Sequence, residues 1–224
     1  MPTIWEMLTK RKQEEEVRVS QEELFYNPLA AKIGNHVKIR TIDLEDHSFQ
    51  ITAIRVVERN IDGQVFKYAD YDLLCRPLSG DPIRKRIRLV PMEDTDGDLT
   101  HDVLLLNYLD GFGYDEPFHK GLAFDQNGGE FYEQSNDATY WRVNDVEPEW
   151  FCEVATLKDE NSDGFVDETE VDRSNMDYWD FWRETIDDDE QTVTEFYIVE
   201  MNKDSGWFDI WVGRSIDPNR IEVV

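Results

Sequence analysis

Between His36 and Pro91 the chain runs through four consecutive strand-length stretches, His36–Ile42, Phe49–Ile61, Val65–Leu74 and Ile83–Pro91, broken by turns and not by linkers. Their β-branched residues alternate with polar ones, the period of a pleated strand. Asp62-Gly63 is a two-residue hairpin signal, because both central positions of such a turn need φ > 0. Short strands that follow one another this closely must pair with near neighbours, which predicts a small curved sheet or barrel.

The rhythm continues beyond residue 93. Asp102–Leu109, Gly121–Phe124, Glu130–Tyr132, Tyr140–Val143, Trp150–Leu157, Thr192–Met201 and Trp207–Val212 read as strands, with Ile221–Val224 as a closing one. Asn127-Gly128-Gly129 and Asn202–Gly206 read as turns. Helix is expected in three places. Residues 3–16 carry Ile4, Trp5, Met7 and Leu8 near one face; Ser20-Gln21-Glu22-Glu23 is a capping signature ahead of a second short helix around Pro28; and Asn175–Glu184 brings together Tyr178, Trp179, Phe181 and Trp182. The expected class is therefore mainly β (α+β): short N-terminal helices, a small curved sheet or barrel, then an acidic β-rich half with at most one further helix.

Charge divides the chain more sharply than any linker. The formal net charge is −27, yet residues 1–90 carry 15 Lys/Arg against 14 Asp/Glu, whereas residues 91–224 carry 8 against 36. A general adaptation to high salt would acidify both parts. A localised field instead attracts cations or a basic protein and repels nucleic-acid phosphates. The expected organisation is an N-terminal helical segment (1–35), a small β-domain (36–92) and an acidic β-rich domain (93–224). The basic run Arg84-Lys85-Arg86-Ile87-Arg88 reads as a solvated strand edge that also pairs with the acidic half. Cys75 and Cys152 belong to no Cys-x-x-Cys pattern and read as two buried thiols. No eighteen-residue apolar span and no cleavable leader are recognisable, so a soluble, cytoplasmic protein without membrane contact is expected.

One acidic segment is patterned. Asp159-Glu160-Asn161-Ser162-Asp163-Gly164-Phe165-Val166-Asp167-Glu168-Thr169-Glu170 places oxygen donors at positions 1, 3, 5, 9 and 12 of a twelve-residue stretch, a backbone carbonyl at 7 and glycine at 6. Ca²⁺ takes six to eight oxygens, and the glycine permits the sharp bend that wraps the first three donors around it. Over Asp159–Val171 the segment resembles an EF-hand calcium loop, and the resemblance covers nothing else. It implies Asp159, Asn161, Asp163, the Phe165 carbonyl, Asp167 and Glu170 as ligands of one Ca²⁺. The flanks depart from that family: Trp150–Leu157 reads as a strand, and Lys158 stands where an incoming helix would present an apolar residue. The loop is thus expected on another fold. No second loop accompanies it, since Asp94-Thr95-Asp96-Gly97-Asp98 fails at position 12 in either register and reads as a turn.

Other constellations are silent. His36, His47, His101 and His119 lack metal-ligand spacing, no nucleophile or phosphate-loop motif occurs, and the tryptophans read mainly as core residues. The functional expectation is a single structural calcium site, more a binding protein than an enzyme. The alternative is an acidic adaptor that docks a basic partner without metal.

Overall fold

The computed structural model describes residues 29, 31–41, 44, 47–61, 64–93, 99–122, 130–133, 137–143, 149–158, 168–186 and 191–224. Thirteen strands are found among them: β1 (His36–Ile39), β2 (Ser48–Ile61), β3 (Gln64–Cys75), β4 (Ile83–Glu93), β5 (Leu99–Phe112), β6 (Glu130–Glu133), β7 (Ala138–Arg142), β8 (Glu149–Lys158), β9 (Glu168–Ser174), β10 (Met176–Ile186), β11 (Thr192–Asn202), β12 (Trp207–Ser215) and β13 (Ile221–Val223). One short helix, α1 (Glu116–Gly121), starts where the Asp115 side chain accepts a hydrogen bond from the Phe118 amide, with a proline in its first turn. The two expected N-terminal helices lie outside the described residues.

Eleven strands form one open antiparallel sheet in the order β13-β1-β2-β3-β4-β5-β12-β11-β10-β7-β6. Asp62-Gly63 joins β2 to β3 in a hairpin whose last pair is Ile61↔Gln64. The same sheet runs through residue 92, because β4 and β5 pair across it from Lys85↔Asn107 to Glu93↔Leu99. The expected closing strand is present and lies antiparallel to β1, with Val223 opposite Val37.

The sheet curls strongly. Four inter-strand spacings separate β4 from β10, roughly 19 Å on a flat sheet, yet Arg88 Nη1 lies 3.4 Å from Asp180 Oδ1. The β8–β9 hairpin reinforces the curl: β8 pairs with β2 from Ala53↔Thr156 to Asn60↔Glu149, and β9 passes through Asn175 into β10. As a result Ala53, Val57 and Tyr68 from β2 and β3 pack against Met176 and Tyr178 from β10.

Strand alternation sorts β3 and β4 into two buried faces. Ala69, Tyr71, Leu73, Ile87 and Leu89 join an apolar core with Val37, Ile39, Phe49, Ile51, Val103 and Leu105. Tyr68, Asp70, Asp72, Arg86 and Arg88 occupy the other, inner face.

Three expectations are corrected. Asn175–Glu184 is strand: β10 pairs residue for residue with β11, Trp179 opposite Val199 and Trp182 opposite Phe196. Its aromatic residues face both sides of a covered strand, so the alternation that would mark a strand is absent. Gly121 and Leu122 end α1 instead of opening a strand. The basic run is no solvated edge, because β4 lies between β3 and β5, and Arg86 and Arg88 are buried. The expected tryptophan core is partial: Trp211 is 1% exposed, whereas Trp141 and Trp207 are about half exposed at 45% and 46%.

Candidate functional site

The calcium-type segment sits at the end of the β8–β9 hairpin. Lys158 pairs with Glu168, Leu157 with Thr169 and Thr156 with Glu170. Nine residues, 159–167, therefore connect two strands whose ends are held side by side. Asp159, Asn161, Asp163, Phe165 and Asp167 lie outside the described residues; Glu170 stands in β9, three ladder pairs from the connection. Both flanks are strands, in agreement with the reading of Trp150–Leu157 and in departure from the helix pair of an EF-hand. The Asp94–Asp98 cluster, also outside the described residues, connects β4 to β5 beyond the pair Glu93↔Leu99, the position of a hairpin turn.

The most concentrated described chemistry is the ionic array on the inner face. Asp70 stands directly opposite Arg88, and Asp72 opposite Arg86, across the β3–β4 ladder. Arg88 grips Asp70 with both ends of its fork, Nε to Oδ1 at 2.8 Å and Nη2 to Oδ2 at 2.9 Å. Asp72 bridges two guanidiniums, accepting from Arg86 Nε at 2.6 Å and from Arg55 Nε at 2.8 Å. Glu200 arrives from β11 to accept from Arg86 Nη1 and lies 3.6 Å from Arg88 Nη2. Arg86 also lies over the Trp211 ring at 4.0 Å, and Arg88 over Tyr68 at 4.4 Å. Planar guanidinium groups suit both contacts, which an ammonium could not make together.

Burial and pairing act against each other here, and the outcome differs by residue. For Asp72, burial favours the neutral acid, but Arg55 and Arg86 outweigh it and hold the carboxyl well below its usual range. For Glu200, burial wins over Arg86 and Arg55, and the carboxyl is raised. Burial likewise weakens the protonation of Arg86 and Arg88, yet the adjoining carboxylates more than compensate and both stay firmly cationic. Glu200 Oε2, Arg86 Nη2, Trp211 Nε1 and Tyr68 Oη find no hydrogen-bond partner among the described residues.

This array is matched charge, not a metal centre. Among the described residues no group of three His, Cys, Asp or Glu converges as a metal site. Nor do the cysteines meet: Cys75 is buried and free, and Cys152 stands opposite Val57, which on its other side faces Tyr68, seven residues along β3 from Cys75. That is roughly 23 Å of strand, far beyond disulfide reach. The histidines are equally dispersed, His36 bonded to Ser48 and His119 packed on Trp179.

Comparison with protein-family models, with curated protein sequences and with solved structures finds no match.

No helix among the described residues is long and apolar enough to cross a membrane.

Proposed function

We propose that the chain binds one Ca²⁺ at the end of the β8–β9 hairpin, through Asp159, Asn161, Asp163, the Phe165 carbonyl, Asp167 and Glu170, in a structural role. The observation that carries this reading is the twelve-residue donor spacing over a connection whose two ends are held together by the Lys158↔Glu168 pair. Backbone closure at the root reduces the entropy that a free acidic loop would lose on wrapping an ion. A structural role fits better than a sensor role, because a sensor opens a pair of helices and this segment lies between strands. With no second loop to stiffen it, the affinity is modest.

Calorimetric titration of calcium into the parent and Glu170→Gln tests the assignment. The parent should give one site and the variant little heat; equal heats would overturn it. A structural ion also raises the melting temperature, stabilising by about 2.7 kcal/mol at a hundredfold excess over Kd. Magnesium at matched ionic strength should do much less.

A second reading, the acidic adaptor, is favoured by the inner array. Arg55, Arg86 and Arg88 are matched inside by Asp70, Asp72 and Glu200. The array therefore absorbs almost none of the net charge of −27, which is left to the rest of the molecule as an acidic field that attracts a basic partner. Salt-sensitive association with a basic protein, indifferent to chelator, would select this reading over calcium.

A further inference from the structure

A cleft of about 640 Å³ opens beside α1 on the apolar face of the sheet. Its position follows from an irregularity in the ladder between β5 and β12: Ile210 opposes Asp110 and Trp211 opposes Tyr108, leaving Leu109 without a partner. A bulge of this kind re-aims side chains. Here Leu109 and Asp110, which would otherwise point to opposite faces, both line the cleft, and Leu109 is 48% exposed.

The remaining wall is aromatic and fixed in place. Phe112 meets Phe118 edge to face at 5.1 Å, and Phe131 packs on Tyr197 at 5.2 Å and on Phe181 at 5.0 Å. Phe131 and Tyr197 are themselves buried, so the wall belongs to the core and is not a collection of loose rings. Two carboxylates complete the lining, Asp110 from β5 and Glu133 from the end of β6. Both acids line the cleft together with Tyr197, whose phenol is raised by burial and further by Glu133, Tyr140 and Asp110. No lysine or arginine is among the described residues that line it, and the sequence has none between Lys120 and Arg142.

We propose that this cleft binds an organic cation, an alkylammonium group whose apolar stem lies along the aromatic wall and whose charged head meets Asp110 and Glu133. Aromatic faces attract such a head through the ring quadrupole while their edges and the Leu109 side chain cover the stem. A hard metal ion is a poorer occupant, since two carboxylates in an apolar wall cannot replace its shell of oxygens. An anion would be repelled by both acids. The proposal does not depend on the calcium reading.

The test is ligand-observed NMR titration of the full chain with n-hexylammonium and with 1-hexanol, which share a stem and differ in charge. A parallel arm uses a short lysine-bearing peptide and its Nε-acetylated form. A charge-assisted contact should favour the ammonium over the alcohol by at least about tenfold, and Asp110→Asn combined with Glu133→Gln should erase that preference. Asp110 is exposed and Asn preserves its acceptor for the Gly111 amide; melting temperatures are recorded alongside, and Asp110→Asn alone, which should keep the parent's melting temperature and lose part of the preference, serves where the double variant is destabilised. Preference for free hexylammonium supports the proposal with a small amine as ligand. Binding of the peptide alone, lost on acetylation, supports it with a partner protein's lysine as the source. Equal affinity for alcohol and ammonium, no binding of either cation, or an undiminished preference in a folded double variant would overturn it.

Discussion

The two faces of β3 and β4 are buried to a similar degree by opposite chemistries. Asp70, Arg86 and Arg88 on the inner face are as inaccessible as Tyr71, Leu73, Ile87 and Leu89 on the other. The apolar face is stabilised by area removed from water and by close packing, so its residues contribute in proportion to what they fill. On the inner face each ion has lost several kcal/mol of hydration, and only the complete arrangement of partners returns it. The difference teaches that burial on this sheet predicts tolerance poorly: an apolar deletion leaves a hole, whereas an ionic deletion leaves an unmatched charge.

The sharpest contrast should come from Asp70→Ala, which strands the Arg88 fork and should cost about 3–5 kcal/mol. Arg88→Met with Asp70→Leu removes both charges and should recover at least about half of that loss, despite deleting more polar contacts. Denaturant unfolding of the two variants measures this. A double variant as unstable as the single one would mean that the array stabilises the fold outright and that the contrast with the apolar face is false.

Next in size is Leu73→Ala on the apolar face, at about 2–5 kcal/mol from lost burial and the residual cavity. This loss should add to that of a distant apolar change such as Phe208→Leu, in the other apolar cluster of the same face, within about 0.5 kcal/mol. Strong coupling between them would show that the apolar face also acts as a unit.

The smallest effect is in pH dependence and separates two members of the ionic face. Asp72, with its folded pKa depressed, contributes stability above its unfolded value near 3.9 that is lost as pH falls through the lower folded value. Glu200 has the opposite sign: its raised folded pKa makes its contribution most favourable below its unfolded value near 4.3, and that contribution declines as pH rises through the folded value. Melting temperatures of the parent and Glu200→Gln between about pH 4 and pH 7 should therefore shift in the variant's favour as pH rises. A shift the other way would mean that Arg86 outweighs burial at Glu200 and that both acids behave alike.

The strands on the neutral side of the chain were legible because their alternation is one-sided: β2 to β4 are found within two residues of where Phe49–Ile61, Val65–Leu74 and Ile83–Pro91 place them, and β1 starts with His36–Ile42 but ends at Ile39. The inner face was not, for a physical reason. Arg84, Arg86 and Arg88 alternate with Lys85, Ile87 and Leu89 just as a strand with one wet face would, so sequence period alone cannot tell a solvated charge from a matched one. The available signal was on the preceding strand, where Asp70 and Asp72 repeat with the same two-residue step and pair directly with Arg88 and Arg86. β9 escaped because Glu168-Thr169-Glu170-Val171-Asp172-Arg173-Ser174 is nearly all polar, and its pairing is imposed by β8. The donor spacing of the calcium-type segment was fully legible, whereas the cleft was not, since it depends on a bulge that brings Asp110 beside Leu109 and on α1, whose Asp115-Glu116-Pro117 start is a readable helix signal.

The cross-strand opposition of Asp70 with Arg88 and Asp72 with Arg86 also bears on the order of synthesis. When the β3–β4 hairpin leaves the ribosome its inner cations already face their own counter-ions, so the segment can begin to close without waiting for distant acids. Glu200, 114 residues beyond its partner Arg86, cannot take part until much later. The nascent chain thus carries forward a charge-balanced template, and the acid least comfortable inside the protein is the last of the array to be translated.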